Sequence, residues 1–252
     1  YLCDTRALNQ EWRFPARDYT VHNTAPLIER AIRQFVNAKG DVIAQLEQDR
    51  KRFGFSKGIT QPHNVPLTLL GVALLWFGWF GFNAGSELAA DGIASIAFIN
   101  TLAAPAAAML GWILIEKFKH GKATSIGAGS GAIAGLVAIT PACASLDPVY
   151  AILLGLVAGA LCALAVDLKF SFGFDDSLDV VGVHLVGGIW GSLAIGIFGA
   201  KSVSGLGVDG LLYGGGIDLL TKQAWGVGLV LAYSFIATLI IGFAIEKTIG
   251  FR

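Results

Sequence analysis

Charged residues are scarce in this chain, and their scarcity indicates its class. Only 14% of the 252 residues are Asp, Glu, Lys or Arg, whereas 54% are hydrophobic and the mean hydropathy is +0.65. Because a soluble domain has about a quarter of its residues charged, the shortage indicates a protein that lies in lipid. Basic and acidic residues are equal in number, 18 of each, so we expect no nucleic-acid partner.

Cysteine is also rare, and the three that are present suggest no metal site. Cys3, Cys143 and Cys162 show no metal-ligand spacing. No Ser/His/Asp, metal-ligand or phosphate-loop pattern is visible either, so we expect no enzyme activity and no cofactor. The first 17 residues are polar and have no apolar core, so we expect no cleavable signal peptide.

The charges that do occur are concentrated in the first quarter of the chain. Residues 1–62 hold 17 of the 36 charged residues and must face water. Thr24 precedes Pro26, a favourable first-turn residue, and apolar residues then recur at helical spacing. This pattern predicts an amphipathic helix over about 25–52. The helix is too charged to span a bilayer, and it could lie on the membrane surface or pack on a neighbour.

From residue 63 onward the sequence consists of long apolar runs separated by short breaks with turn residues. A helix needs about 20 mostly apolar residues to cross a bilayer. On that basis we predict six spans, at 65–82, 93–118, 125–144, 149–168, 180–199 and 224–245. The predicted fold is therefore all-α, a polytopic transmembrane helical bundle over 63–252 that follows a polar amphipathic segment over 1–62.

Basic residues collect on one side of this predicted bundle. That side receives the cluster at 50–57 together with Lys117, Lys119, Lys122, Lys169, Lys247 and Arg252. The opposite loops hold only Lys201 and Lys222 and are richer in acids. Because basic loops stay inside, we predict that both flanks of the membrane part are cytoplasmic. As a separate expectation, the bilayer is the plasma membrane.

Small residues and one proline predict how the helices pack. Glycine or serine recurs every fourth residue in three spans, at Gly127/Gly131/Gly135, Gly155/Gly159 and Gly188/Ser192/Gly196. Such faces let helix backbones approach closely in lipid. Pro105 should kink the second span, and we expect the hydroxyl of Thr101, one turn earlier, to compensate a freed backbone group.

Few polar side chains lie inside the spans, and these are the functional candidates. His184 lies within the fifth span, where it is either a functional residue or a neutral histidine bound to a neighbouring carbonyl. Asp176 and Asp179 stand at the start of that span, where carboxylates cap free N–H groups. Near the end of the first span, the aromatic residues Trp79 and Phe82 are either ordinary interface anchors or ring faces that could meet a cation, and Ser86 could offer a hydroxyl acceptor.

At these residues the sequence resembles a known family. Residues 78–86 (GWFGFNAGS) resemble the signature of the ammonium transporter family, which comprises the Amt, Mep and Rhesus proteins. Three further segments agree in order and spacing: 100–112 (NTLAAPAAAMLGW), 130–143 (SGAIAGLVAITPAC) and 175–198 (DDSLDVVGVHLVGGIWGSLAIGIF). The resemblance covers residues 62–252.

The resemblance implies a trimer of eleven-span subunits, each with a pore between two inverted five-helix repeats. Ammonium is attracted at an outer aromatic site, loses a proton, and crosses an apolar pore as ammonia past two histidines. By matching position, the outer site would contain Trp79 and Ser86. Phe82 would stack in the pore, with His184 as the second histidine and Asp176 and Asp179 at the cytoplasmic end.

The matched segments correspond to the second repeat and the closing helix, without a counterpart of the first repeat. Aligned with the family's fifth helix, Phe35 stands where the first pore histidine belongs. We therefore expect the chain alone to be incomplete for transport. The implied partners are ammonium or ammonia, the lipid bilayer, a homotrimer and a cytoplasmic regulatory protein. The alternative is a non-conducting membrane module that senses ammonium or pairs with a partner that supplies the first repeat.

Overall fold

The computed structural model describes residues 62, 64–203 and 207–250. The predicted amphipathic helix over 25–52 lies outside these residues, so the helix and the polar segment over 1–62 remain predictions.

Within the described residues the fold is all-helical, as predicted. The helices are α1 (Val65–Asn83), α2 (Gly92–His120), α3 (Ser125–Ile139), α4 (Pro148–Ala165), the short α5 (Leu168–Phe172), α6 (Val186–Phe198) and α7 (Asp218–Thr248). A π-helical segment, Val180–Leu185, leads directly into α6. Two 3-10 turns, Gly85–Glu87 and Leu211–Tyr213, lie in the loops.

Five of the described segments are long and apolar enough to cross a membrane. They are Val65–Glu87, Gly92–His120, Pro148–Phe172, Val180–Phe198 and Asp218–Thr248. The segment predicted as the third span, 125–144, differs, because its helix α3 ends at Ile139 after 15 residues. At about 1.5 Å per residue, α3 is roughly 22 Å long, shorter than a hydrocarbon core of about 30 Å. Pro141 explains the early end, since it has no N–H for the next helical hydrogen bond.

Successive helices run in opposite directions and define two ends of the bundle. The 84–91 end also carries residues 140–147 and 199–217. Here the Asn100 side-chain amide donates to the carbonyl oxygens of Cys143 and Leu146, at 2.8 and 2.7 Å. The 121–124 end also carries residues 166–179, and here Lys119 forms an ion pair with Asp167 at 2.5 Å.

Glycine controls the packing at the centre of the bundle, where α2 meets α4. A Cβ atom added at Gly155 or Gly159 would lie 2.0 Å from the carbonyl oxygen of Ala104 or Ala108, respectively. In the reverse direction, a Cβ atom on Gly111 would lie 2.1 Å from the carbonyl oxygen of a residue in α4. The two backbones therefore touch, and the predicted small-residue face at 155/159 is confirmed.

Helix α6 packs through two different small-residue faces. A Cβ atom on Gly191 would lie 1.9 Å from the carbonyl oxygen of Ala138, so this face packs on α3. The predicted face turns toward α7, because Gly196 approaches the Cα atom of Leu220 while Gly188 has nothing within 4 Å. That face therefore makes close contact only at its far end and leaves a cavity near its start.

Helix α1 joins the bundle through polar side chains, and only Asn83 of its residues is buried. The indole nitrogen of Trp76 donates to the carbonyl oxygen of Thr101 at 3.0 Å, and the amide of Asn83 donates to the hydroxyl oxygen of Thr101 at 3.0 Å. Trp79 lies one helical turn from both Trp76 and Asn83, and its indole nitrogen donates to the hydroxyl oxygen of Thr140 at 2.8 Å. These donors share one face of α1 because they are three or four residues apart.

The contact with Thr101 corrects the expectation about Pro105. Proline removes the N–H that would bond to the carbonyl group four residues earlier, which belongs to Thr101. Trp76 takes this freed carbonyl, whereas the Thr101 hydroxyl donates to Ala97, one turn further back, at 2.6 Å. The geometry explains the difference, because a threonine hydroxyl in a helix reaches the carbonyl oxygen of residue i−4 and not its own.

We predict that Trp76→Phe destabilises the bundle. The substitution keeps an aromatic ring but leaves the carbonyl of Thr101 without its donor, at a cost of about 1–3 kcal/mol. Thermal unfolding of the purified chain in detergent measures the effect. Trp225→Phe is the matched control, because Trp225 is 69% exposed. Equal unfolding temperatures for the two variants would contradict the assigned role of Trp76.

We also predict that Gly159→Ala lowers the unfolding temperature, whereas Gly71→Ala does not. The new methyl group at 159 would overlap the carbonyl oxygen of Ala108, and overpacking of this kind costs about 1–3 kcal/mol or more. Gly71 has open space around its Cβ position, and alanine there favours the helix. Unchanged stability of Gly159→Ala would show that α2 and α4 are further apart.

Candidate functional site

A cavity of about 220 Å³ lies at the 84–91 end of the bundle. Its lining includes the ring of Phe82, which is 62% exposed, and the side chain of Ser86. The Ser86 hydroxyl donates to the carbonyl oxygen of Phe82 at 2.5 Å, which leaves the lone pairs of the hydroxyl oxygen for a donor in the cavity. A ring face next to a hydroxyl acceptor suits a small cation that carries N–H groups.

Trp79 contacts two of the residues that line this cavity. Its ring meets Phe82 edge to face, with centroids 6.0 Å apart and planes at 75°. Its indole nitrogen donates to the hydroxyl of Thr140, which lines the same cavity. Trp79 therefore positions two lining residues. Thr140 was not predicted from the sequence as a site residue, although it lies in the segment 130–143 that resembles the family.

His184 lies in the π-helical segment Val180–Leu185 and is exposed on the described surface. π-helical turns are rare and are frequent at functional sites, and nothing in the apolar sequence predicts this one. His184 lines a cavity of about 340 Å³ between α6 and α7, beside Gly188 and Ser192. It also lines a cavity of about 150 Å³ together with residues from the start of α1 and of α3, among them Leu69.

A buried polar cluster holds the start of the π-helical segment. The two carboxylate oxygens of Asp176 accept hydrogen bonds from the backbone N–H groups of Val180 and Val181, each at 2.8 Å. Asp176 is thus a helix cap, as its position in the sequence predicted. The ammonium group of Lys169 donates to the Asp176 carbonyl at 3.0 Å and forms an ion pair with Asp179.

The position of Lys169 could not be predicted from the sequence. Lys169 is only 6% exposed, whereas its place between two spans indicated a solvated loop. Asp179 has a left-handed backbone, with φ of 54°, which directs the chain into the π-helical segment. A charge in an apolar bundle is tolerated when it is paired and hydrogen-bonded, and Lys169 has both kinds of partner.

A larger cavity of about 400 Å³ opens at the 121–124 end, and its lining includes the charged residues Glu116, Lys119 and Asp167. It shares Ser130 and Asp179 with the 150 Å³ cavity that touches His184. The two cavities are therefore neighbours at this end of the bundle. Among the described residues, no three His, Cys, Asp or Glu side chains come together as metal ligands.

Phe82 and His184 lie toward opposite ends of the bundle in the part of the chain that the structure describes. Val72, next to the His184 cavity, and Phe82 are ten residues apart on α1, or about 15 Å along the helix axis. The cavities are separate in the described residues. A single path lined by Phe82 and His184, with Trp79 and Ser86 at its mouth, therefore stays a prediction.

Known proteins resemble this chain in sequence and in fold. The profile of the Ammonium Transporter Family matches residues 42–252. An ammonium transporter of Mycobacterium tuberculosis is 55% identical over 207 residues, which are 80% of this chain and 43% of that protein. The structure of Saccharomyces cerevisiae Mep2 matches with a TM-score of 0.72 and 37% identity, over 76% of this chain and 44% of that one.

A further solved structure, named "Sensor Amt Protein", matches with a TM-score of 0.67 and 33% identity, over 74% of this chain and 45% of that chain. The chain thus spans less than half the length of these relatives. Its apolar helices identify a multi-pass membrane protein. Because the family profile matches far more than half of the sequence, the chain belongs to the ammonium transporter family.

Proposed function

We propose that the chain forms part of a pathway that moves ammonium or ammonia across the plasma membrane. The observation that carries the proposal is the cavity at the 84–91 end, where the Phe82 ring and the free lone pairs of the Ser86 hydroxyl face the same space. Ammonium has four N–H donors and a positive charge, so it matches both groups. The M. tuberculosis relative is named an ammonium transporter, which supports the same substrate.

Desolvation explains why such a pathway would carry ammonia through its apolar section. An ammonium ion loses its hydration in a dry passage at a large cost, whereas neutral ammonia loses far less. In the proposed pathway ammonium binds at the Phe82/Ser86 cavity, gives its proton to water on the outer side, and passes His184 as ammonia. The imidazole of His184 suits the passage of ammonia because it offers one donor and one acceptor nitrogen. No enzymatic step is required.

The cluster of Asp176, Lys169 and Asp179 has a positioning role in this proposal. It caps the N–H groups at the start of the π-helical segment and so determines where His184 stands on the helix surface. The 400 Å³ cavity that Asp179 lines would be the cytoplasmic end of the pathway. The exposed apolar residues of α1 and α7 would face lipid or other copies in a homotrimer. A cytoplasmic protein would regulate this assembly.

The second candidate function is a non-conducting module that senses ammonium or pairs with a partner that supplies the first repeat. Its specific support is the similarity to the structure named "Sensor Amt Protein". The same Phe82/Ser86 cavity would serve such a module as a binding site without a continuous path to His184. Transport measurements distinguish the two functions.

A chimera tests the transport proposal. It joins residues 62–252 to the portion of the M. tuberculosis relative outside the matched region, and it is expressed in cells that lack their own ammonium transporters. We expect growth on low ammonium, and we expect Ser86→Leu to abolish it because the larger side chain intrudes into the 220 Å³ cavity and the hydroxyl acceptor is lost. Ser202→Leu, the same substitution in an exposed turn, is the matched control and should keep growth.

The 252-residue chain alone should not restore growth, because Phe82 and His184 stand on exposed surfaces that need a second wall. A monodisperse chimera without transport would refute the transport proposal and favour sensing. Rapid ammonium-dependent alkalinisation of liposomes that contain only this chain, blocked by Ser86→Leu, would instead show that the chain is sufficient.

We further predict the topology, with the 84–91 end outside the cell and both flanks of the membrane part in the cytoplasm. Single cysteines are introduced as Lys122→Cys and Val208→Cys after the native cysteines have been replaced. An impermeant maleimide should label position 208 in intact cells and position 122 only after permeabilisation, because basic loops are retained inside. The reverse labelling pattern would overturn the assigned orientation.

A further inference from the structure

The acidic residues at the 84–91 end differ in what their carboxylates do. Four of the five in the described residues have a structural partner: Asp91 accepts from the Ala94 N–H, Asp147 from the Tyr213 hydroxyl and Asp209 from the Lys201 N–H, while Asp218 pairs with Lys222. The hydrogen bond to Asp147 raises the pKa of the Tyr213 hydroxyl to about 12. The fifth carboxylate, on Glu87, makes no hydrogen bond or ion pair with the described part of the chain.

Glu87 is also the acid at this end that lines the Phe82/Ser86 cavity. It is the last residue of the 3-10 turn Gly85–Glu87, which places it next to Ser86. Its backbone is held by two turn hydrogen bonds, from its own N–H to Ala84 at 3.3 Å and from the Leu88 N–H to Gly85 at 3.1 Å. The side chain is half-buried, and the turn fixes it at the cavity.

The charge of Glu87 is not balanced locally. The residues that line the cavity are otherwise apolar or neutral, and no lysine, arginine or histidine is among those described. A carboxylate without a paired cation produces a negative potential in the space that it faces, and the low-dielectric walls of a cleft focus it. The Phe82 ring face adds attraction of the same sign for a cation.

We propose that Glu87 recruits small monovalent ammonium ions, namely ammonium and its methylated homologues, to the Phe82/Ser86 cavity. The inference deepens the proposed function, on which it rests, by naming a residue that determines the affinity of the entrance. The carboxylate supplies long-range attraction, and the Ser86 oxygen and the Phe82 ring receive the ion once it has arrived. Glu87 is a recruiting residue, and deprotonation occurs further along the path.

The local potential can be measured on the full 252-residue chain without any transport. The native cysteines are replaced, and a reporter thiol is introduced by Ile93→Cys, at a residue that lines the cavity. The rates of modification by a cationic and by an anionic methanethiosulfonate of similar size are then compared. We expect Glu87→Gln to lower the cation-to-anion rate ratio roughly three- to fivefold at low ionic strength, which is the Coulomb estimate for a unit charge about 8 Å away in water.

Two controls make this measurement specific. Asp218→Asn removes the same charge from the same end of the bundle, at a residue that is paired with Lys222, and should leave the ratio unchanged. High salt should abolish the difference between Glu87 and Gln, because the screening length falls to about 3 Å at 1 M. A second reporter, Ala144→Cys, lies at another residue that lines the cavity and should give the same result.

In the chimera, Glu87→Gln should raise the ammonium concentration for half-maximal uptake by about two- to fivefold and leave the maximal rate unchanged, since recruitment precedes the slower steps. A lowered rate ratio without uptake in any chimera would support recruitment by Glu87 and refute the transport function. An unchanged ratio at both reporters in a chain whose chimera transports would overturn the role of Glu87 and leave the transport function intact.

Discussion

The carbonyl group of Thr101, freed by Pro105 inside α2, illustrates the constraint on which the bundle depends. A backbone polar group at membrane depth has no water to bind, so it must find a partner within the protein. Trp76 of α1 supplies that partner, and Trp79 and Asn83 add hydrogen bonds along the same face. Helix association in lipid lacks a hydrophobic driving force, so these polar contacts substitute for a buried apolar face on α1.

The same constraint links the packing to the candidate site. Trp79 donates to Thr140 and contacts Phe82, so the bond that attaches α1 also shapes the wall of the cavity at the 84–91 end. At the other end, Asp176 satisfies the N–H groups that the π-helical segment leaves free, and the segment presents His184 on its surface. In both places one residue has two roles. Trp79 and Asp176 each make hydrogen bonds that the bundle needs, and each also positions a candidate site residue, Phe82 or His184.

Much of the fold followed from the sequence, because membrane spans are defined by local composition. Runs of apolar residues mark helices whatever their neighbours are, and all six predicted spans contain a helix. The exception in length, α3, ends before Pro141. The predicted spans placed Phe82 in the first helix and Ser86 in the loop after it, whereas the π-helical turn at His184 was not predicted. The resemblance carried by the motif segments led to the family that the comparisons establish.

The sequence by itself determined the membrane class, the helical fold, the family and the candidate residues, since each depends on residue types within one segment. Only the tertiary structure revealed the burial of Lys169 against Asp176 and Asp179, and the different use of Gly188 and Gly191. It also separated Glu87 from the other acids of its end. The physical reason is that a partner across a loop or on another helix leaves no periodic trace in the sequence, so whether a charge is paired, capped or open depends on the packing of the helices.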